Sequence, residues 1–347
     1  MKTTDITSLF ESFSGLHAVV VGDVMLDNYW WGEVDRISPE APVPIVRLKR
    51  RESRLGGAAN VALNLCALGA KVSLATVVGT DSEGDVLVGL AEKSGMGTEL
   101  IHRSAHRPTT TKARVMGHNQ QMLRIDEETT EDLYTEEEHP FIDAVMRFLQ
   151  REKPQVLIFE DYNKGVLKEN VIHRIADHCR TLGIPTAVDP KKKNFLSYKG
   201  VTIFKPNLKE VREGLHLPVD VVDAPHLDEV HRKLQASLQH EVTFITLSEN
   251  GVYVHDGPGS VHIPCHVRKI ADVSGAGDTV IATAALVYAA TGNAQLMAEL
   301  SNLAGGLVCE EVGVVPIKKE RLLEEALGLQ ASAAVTSASR EPDSAAV

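Results

Sequence analysis

The chain has little that would build a metal centre or a disulfide framework. Its four cysteines, Cys66, Cys179, Cys265 and Cys309, stand far apart and form no C-x-x-C pair, so reduced thiols are expected. The 14 histidines show no metal-ligand spacing. Positive charge is in deficit: 36 basic residues against 47 acidic ones leave a net charge of −11, which argues against sequence-independent nucleic-acid binding. A small anion at a local basic site stays possible. No long apolar run occurs; the most apolar stretch, Ile281 to Ala290, is well short of a membrane span, and the first 15 residues carry acids and no apolar signal core. No nucleic-acid or membrane partner is expected, and the location expected is cytoplasmic. The absence of G-x-x-x-x-G-K-[ST] excludes a P-loop.

What is present is a regular alternation. "LHAVVVGDVML" reads as a buried strand ending at a glycine and an acid, and "GGAANVALNLCALGAKVSLATVVG" as a helix followed by a buried strand. From about Phe141, helices precede "QVLIFED" and "PTAVDP", followed by "VTIFKPN", a polar helix and "VTFITLSENG". Strands alternating with helices imply a mainly parallel sheet with helices on both faces. "NYWWGEVDRI", "PIVRLKRRES" and "TKARVMGHNQQMLRID" instead alternate with one polar face, and predict a small projecting β-sheet within about residues 27–55 and 110–126. Residues 1–330 form the expected domain. The small, polar, non-periodic end from 331 to 347 reads as a disordered tail.

The chemistry is concentrated in "DVSGAGDTVI", where Gly275, Ala276 and Gly277 precede Asp278 at the start of a helix. Helix-start amides without intrahelical partners, with the helix dipole behind them, make an anion hole that near-absent side chains leave open. Asp278 beside it is placed to take a proton from a hydroxyl attacking a phosphate. A plain capped helix start is the alternative reading of the same residues. A dinucleotide fingerprint fails, because Val280 replaces the third glycine and the motif lies near the C-terminal end.

Two further segments admit two readings each. "GGAANVA" places Gly56, Gly57 and Asn60 at a helix start, suited to sugar hydroxyls or to close helix packing. "KPNLKEV" ends a strand with Asn207 and Glu210 on one helix face, suited to a hydrated Mg²⁺ near nucleotide phosphates or to a helix cap.

Taken together, "GGAANVA", "NLKE", "TLSENG" and "DVSGAGD", in that order over roughly Leu16 to Leu327, resemble the ribokinase-like (PfkB) family of sugar kinases. "GDVMLDNYWWG", "RISPEAPVPIV" and "DYNKG" resemble the branch acting on D-glycero-β-D-manno-heptose 7-phosphate at its anomeric hydroxyl. The resemblance implies a three-layer α/β/α sandwich with a β-sheet lid, ATP as co-substrate, Mg²⁺ held through water at Glu210, and a possible monovalent cation. It implies Asp278 as base with Gly275, Ala276 and Gly277 as the anion hole. Asn207, Leu208, Lys209, Glu210, Thr246, Ser248, Gly251 and Asn302 would lie along the nucleotide, although Ser248 stands where many relatives have glycine. Asp27, Gly56, Gly57, Asn60, Arg114, Arg124, Asp161 and Lys164 would bind the sugar phosphate, with Arg36 and the Lys191–Lys193 triplet as further cations. The chain carries no H-x-G-H-type motif, as expected of a stand-alone kinase. Rival readings are a kinase of the same fold for ribose, fructose phosphate or a nucleoside, and a catalytically silent sugar or nucleotide sensor. The projecting strands would leave an apolar face exposed, which predicts a homodimer through the lid.

Overall fold

The structure, a computed structural model, describes residues 5–118, 120–217, 223–266 and 268–338. The chain opens with α1 (Ile6–Ser12), β1 (His17–Gly22), β2 (Val24–Ile37), β3 (Pro44–Gly57), α2 (Ala58–Leu68), β4 (Lys71–Gly79), α3 (Ser82–Lys93) and β5 (Gly97–Ser104). It continues through β6 (Thr111–Gly117), β7 (Gln120–Glu127), α4 (Thr135–Glu152), β8 (Val156–Glu160), α5 (Glu169–Leu182), β9 (Thr186–Asp189), β10 (Ile203–Phe204), α6 (Leu208–Leu215) and α7 (Ala224–Leu238). It ends with β11 (Val242–Thr246), β12 (Val252–His255), β13 (Ser260–Ile263), α8 (Ala276–Thr291), α9 (Ala294–Val308) and α10 (Lys319–Ala338).

Nine strands form one sheet in the order β13-β12-β11-β10-β9-β8-β1-β4-β5, parallel except where β12 runs against β11 and β13. Side chains of a strand alternate between faces. In β1, Ala18 and Val20 join a core shared with α1, α2, α8, α9 and α10. Val19 and Val21 join a second core under α4, α5 and α7. One strand thus feeds two cores, which is the expected helix–sheet–helix layering.

The expected lid is a separate four-stranded sheet, ordered β3-β2-β6-β7. Its strands begin in the body: Val24 to Asp27 and Leu55 to Gly57 are buried, while the distal halves of β2 and β3 run out to solvent. The boundaries differ from the expected ones by a few residues. The tail differs more, since α10 runs to Ala338 and the first residues of the expected disordered segment are helical. "ASAAVTSA" is alanine-rich, and alanine is the strongest helix former. Residues 339–347 of that expectation lie outside the described residues.

Candidate active site

The start of α8 is built by its own loop. Asp272 accepts hydrogen bonds from Ser274 N–H (2.9 Å), Ser274 Oγ (2.8 Å) and Gly313 N–H (3.0 Å), which curls the chain into the helix. Gly275, the N-cap, has φ 79°, and a Cβ there would meet Asn60 Nδ2 at 3.0 Å. Only glycine suits that conformation and that contact. The Ala276 amide bonds back to Val273, whereas Gly277 and Asp278 N–H find no acceptor among the described residues. Of the expected anion-hole residues Gly275, Ala276 and Gly277, the Ala276 amide is thus engaged within the loop, and the open amides are those of Gly277 and, outside the expected set, Asp278.

Asp278 is buried, with Oδ2 accepting from Asn60 Nδ2 (2.7 Å) and Oδ1 from the Tyr162 hydroxyl (2.8 Å). Burial raises its pKa to about 6, against the pull of those two donors. Each oxygen accepts one bond and keeps a lone pair for a substrate hydroxyl. Asn60 comes from the first turn of α2, so "GGAANVA" and "DVSGAGD" meet through this one bond.

Beneath them the ends of three neighbouring strands form a charged floor. Glu160 on β8 and Asp189 on β9 are paired in register. Lys205, immediately after β10, reaches Asp189 at 2.7 Å. Lys191 lies 3.4 Å from Asp189 and 2.6 Å from Glu210. Burial alone would raise the Asp189 pKa, but the two ammonium groups outweigh it and hold it down. At Glu160 the balance goes the other way: burial, then Asp189 and Asp278, outweigh the same two lysines and push its carboxyl well above the usual range, and neither oxygen has a hydrogen-bond partner among the described residues.

Asn207 and Glu210 make a reciprocal capping box, Asn207 Oδ1 accepting from Glu210 N–H (2.9 Å) and Glu210 Oε2 from Asn207 N–H (2.8 Å). The capping reading is therefore realised, and Lys191 holds the other Glu210 oxygen beside the site. Leu208 packs on the second core, and Lys209 is exposed with Glu213 at 3.9 Å, so neither turns its side chain to this floor. Thr246 bridges Asn207 across the sheet. Ser248 has φ 57° in the turn that follows. A Cβ at Gly251 would strike the Ile263 carbonyl. Asn302, on α9, donates to the Pro264 carbonyl (2.9 Å). These residues border the corner where β11, β12 and α9 approach one another.

On the lid side, Asp27 is buried and Arg114 donates to its Oδ1 at 2.6 Å. A Cβ at Gly56 would lie 2.4 Å from Asp27 Oδ2, so the glycine is what lets this carboxylate sit there. The guanidinium groups of Arg54 (4.9 Å) and Arg114 (5.3 Å) both lie over the Tyr29 ring. Arg124 is exposed and paired with Asp126 at 2.9 Å, and the Lys164 ammonium is 2.7 Å from Glu128. Arg36 is exposed at the far end of β2, opposite Ile45. Of the lysine triplet only Lys191 enters the floor; Lys192 is exposed and Lys193 pairs with Asp132.

Asp161 requires a correction. Its carboxylate accepts from Asn163 N–H (2.8 Å), Asn194 Nδ2 (3.1 Å) and the Tyr198 hydroxyl (2.8 Å), and it is fully buried. It holds the "DYNKG" loop together, and the neighbouring Tyr162 is the residue that reaches the site. Asp23 was missed in the same way. Its carboxylate collects Tyr162 N–H (2.9 Å), Lys164 N–H (3.0 Å) and Val166 N–H (3.0 Å), and burial followed by the nearby Asp161 raises its pKa to about 6. An acid ending an apolar strand (Glu160), and a lysine between strand residues and a capping asparagine (Lys205), were the available sequence signals.

The profile described as "pfkB family carbohydrate kinase" matches residues 16–320. A "Bifunctional protein HldE" from Methylobacillus flagellatus is 43% identical over 319 residues, covering 91% of this chain and 64% of the relative. A "D-beta-D-heptose 7-phosphate kinase" from Bordetella bronchiseptica is 40% identical over 325 residues, covering 91% of this chain and 97% of the relative. The chain thus spans under two thirds of the first relative and nearly all of the second. Among solved structures, phosphofructokinase-2 from Escherichia coli with potassium matches at TM-score 0.74 and 16% identity, over 91% of this chain and 99% of that one. Arabidopsis thaliana ribokinase with ribose and ATP matches at TM-score 0.68 and 16% identity, over 89% and 98%. Both share the fold.

Proposed function

Because the chain belongs to the pfkB family of carbohydrate kinases, we propose that it transfers the γ-phosphoryl group of ATP to the anomeric hydroxyl of D-glycero-β-D-manno-heptose 7-phosphate. Asp278 carries the reaction class: a buried carboxylate, oriented by two donors, beside two free amides at a helix start. Similarity along 97% of a heptose 7-phosphate kinase supports the substrate.

Asp278 takes the proton of the anomeric hydroxyl while that oxygen bonds to the γ-phosphorus and the bond to the ADP oxygen breaks. The products are the 1,7-bisphosphate, ADP and a proton. The Gly277 and Asp278 amides meet charge on the transferred group. Asp27 accepts from adjacent sugar hydroxyls, and Arg114, with Arg54 over the same Tyr29 ring, faces the remote phosphate. ATP lies along Asn207, Thr246 and Gly251 toward Asn302.

Among the described residues no group of three or more carboxylates, histidines or cysteines could cage a metal ion. A hydrated Mg²⁺ would be held mainly by nucleotide phosphate, with Glu210 accepting from its water, and would supply charge neutralisation of the transferred phosphate. A monovalent cation is part of the same reading. Phosphofructokinase-2, the fold neighbour, was solved with potassium.

The outer lid face exposes Leu48, Leu123 and Ile125, which supports a homodimer through the lid. Among the described residues no helix is long and apolar enough to cross a membrane; the location proposed is cytoplasmic, within ADP-heptose synthesis for bacterial surface polysaccharide.

ADP release measured across a sugar panel tests the reading. Heptose 7-phosphate should be used one to two decades, roughly, better than unphosphorylated heptose, because charge-assisted bonds to the phosphate are worth ~1.5–3 kcal/mol each. Equal use of the two sugars, or better use of ribose or fructose 6-phosphate, overturns it.

A further inference from the structure

We infer that Tyr162 is a positioning residue for the base, presented to it by Asp23 acting as a clamp on the loop after β8. The inference deepens the kinase reading, since it rests on Asp278 being the base, and it does not depend on which sugar is the acceptor.

Three observations carry it. The Tyr162 hydroxyl donates to Asp278 Oδ1 at 2.8 Å, on the side of the carboxylate opposite the oxygen that Asn60 occupies. The backbone that carries Tyr162 is tied down at three amides, all converging on the single buried carboxylate of Asp23. The ring lies under the Lys191 ammonium at 5.4 Å, which sets the plane from which the hydroxyl points. A side chain retained only for packing would need neither the clamp nor a hydroxyl aimed at a buried acid.

The surroundings explain why a donor is needed there. Asp278 is faced by Asn60 from α2, Tyr162 from the loop, Glu160 from β8, Asp189 from β9 and Lys205 beyond β10. Burial and the Asp189 carboxylate both favour its protonated form. A protonated base is useless for accepting a proton. Asn60 and Tyr162 oppose this by hydrogen-bonding the anion, and together they hold both oxygens in one plane with a free lone pair toward the cleft. Tyr162 thus keeps the base ionised and aimed without touching the sugar.

The test is Tyr162→Phe, read in two ways. Carbon-13 NMR titration of labelled aspartates, with Asp278→Asn used to assign the signal, follows the Asp278 carboxyl whatever the substrate is. Its midpoint should rise by about one pH unit when the donor is lost. The acid limb of kcat should move with it. For a base titrating near 6, that lowers turnover roughly five-fold at pH 6, about two-fold at pH 7, and hardly at all above pH 8.5.

Asp23→Asn, which leaves the tyrosine in the chain but weakens its clamp, should move the midpoint in the same direction. A lowered melting temperature with an unmoved Asp278 midpoint in both variants would reduce Tyr162 to a packing residue and overturn the inference. Failure to use heptose 7-phosphate, with the midpoint shifted as described, would overturn the substrate and leave the inference standing.

Discussion

The two walls of the cleft are made in opposite ways. On the body side Asp278 with Asn60, and Asp189 with Lys205, are buried pairs each bonded at 2.7 Å. On the lid side many charged groups are solvent-exposed: Arg47 pairs with Glu33 and Asp35, and Arg124 with Asp126, on side chains that, Asp126 aside, are about half open to water. Exposed pairs contribute ~0.2–1 kcal/mol each and are screened by salt. Buried ones hold a fixed geometry, and breaking one is costly. The difference separates two tasks. On the proposed reading, phosphoryl transfer needs a preorganised wall, while the lid keeps Arg114 against the buried Asp27 and leaves its exchangeable ion pairs on the more exposed strands.

Asp278→Asn should have the largest effect, lowering kcat by ~10²–10⁴. Its effect on stability has a definite sign with pH. Asp278 titrates near 6 in the folded protein and near 4 when unfolded, so the burial penalty is absent below about pH 4 and fully present above about pH 6. The melting temperature of the variant relative to wild type should therefore be more favourable at pH 8 than at pH 4.5. A difference that does not vary with pH would mean that the carboxylate is not penalised by its surroundings.

On the lid, Arg114→Met should cost one to two decades in kcat/KM for the phosphorylated sugar. It should cost much less for the unphosphorylated one, and raised salt should narrow the gap. Equal losses with both sugars would mean that Arg114 serves only to hold Asp27.

Glu210→Gln lies between the two walls. It keeps the capping geometry but leaves Lys191 without its closest partner, and turnover should fall by about ten-fold, a loss that raised magnesium partly recovers. Wild-type kinetics with a lowered melting temperature would reduce Glu210 to a helix cap.

Ile125→Asp, on the outer lid face, should have the smallest effect on chemistry. It should shift the species seen by sedimentation from dimer to monomer while leaving the melting of the body within about 2 °C. An unchanged sedimentation profile removes the lid from the oligomer interface.

The same division governs how much could be read from sequence. Asp278, Gly275, Asn60 and Glu210 could be picked out because each sits in a segment whose residue types answer a local backbone demand, such as a helix start, a left-handed cap or a cap box, whereas Asp27, inside β2, was singled out only through the family resemblance. Tyr162 and Asp23 were not, and Lys205 showed only as a lysine at a strand end, since their roles arise from strand register between distant segments, as where Ile203 pairs with Ala187 and Glu160 with Asp189. Within "DYNKG", the step from Asp161 to Tyr162 changes which side of the loop a side chain leaves, and composition carries no mark of that. The layers and the lid followed from periodicity. The helical end of α10 did not, because small residues were read as unstructured where alanine favours helix.

One feature of the lid has a mechanical meaning. β2 and β3 are paired almost without interruption from Val24 and Gly57, inside the body, to Ile37 and Pro44 at the tip, with breaks in register only between Trp31 and Gly32 and between Val34 and Arg36. No loop separates the β2–β3 ribbon from the body, since Asp23 alone links β1 to β2 and β3 runs straight into α2, so the ribbon is a cantilever clamped at its root, and Asp27 stands close to the clamp. The ten residues beyond it extend about 33 Å at ~3.3 Å per residue. A 10° deflection at the root would sweep the tip through roughly 6 Å over that length, and carry Asp27 almost nowhere. Whatever docks on the outer end can swing widely while Asp27, the proposed sugar contact, keeps its place relative to Asp278.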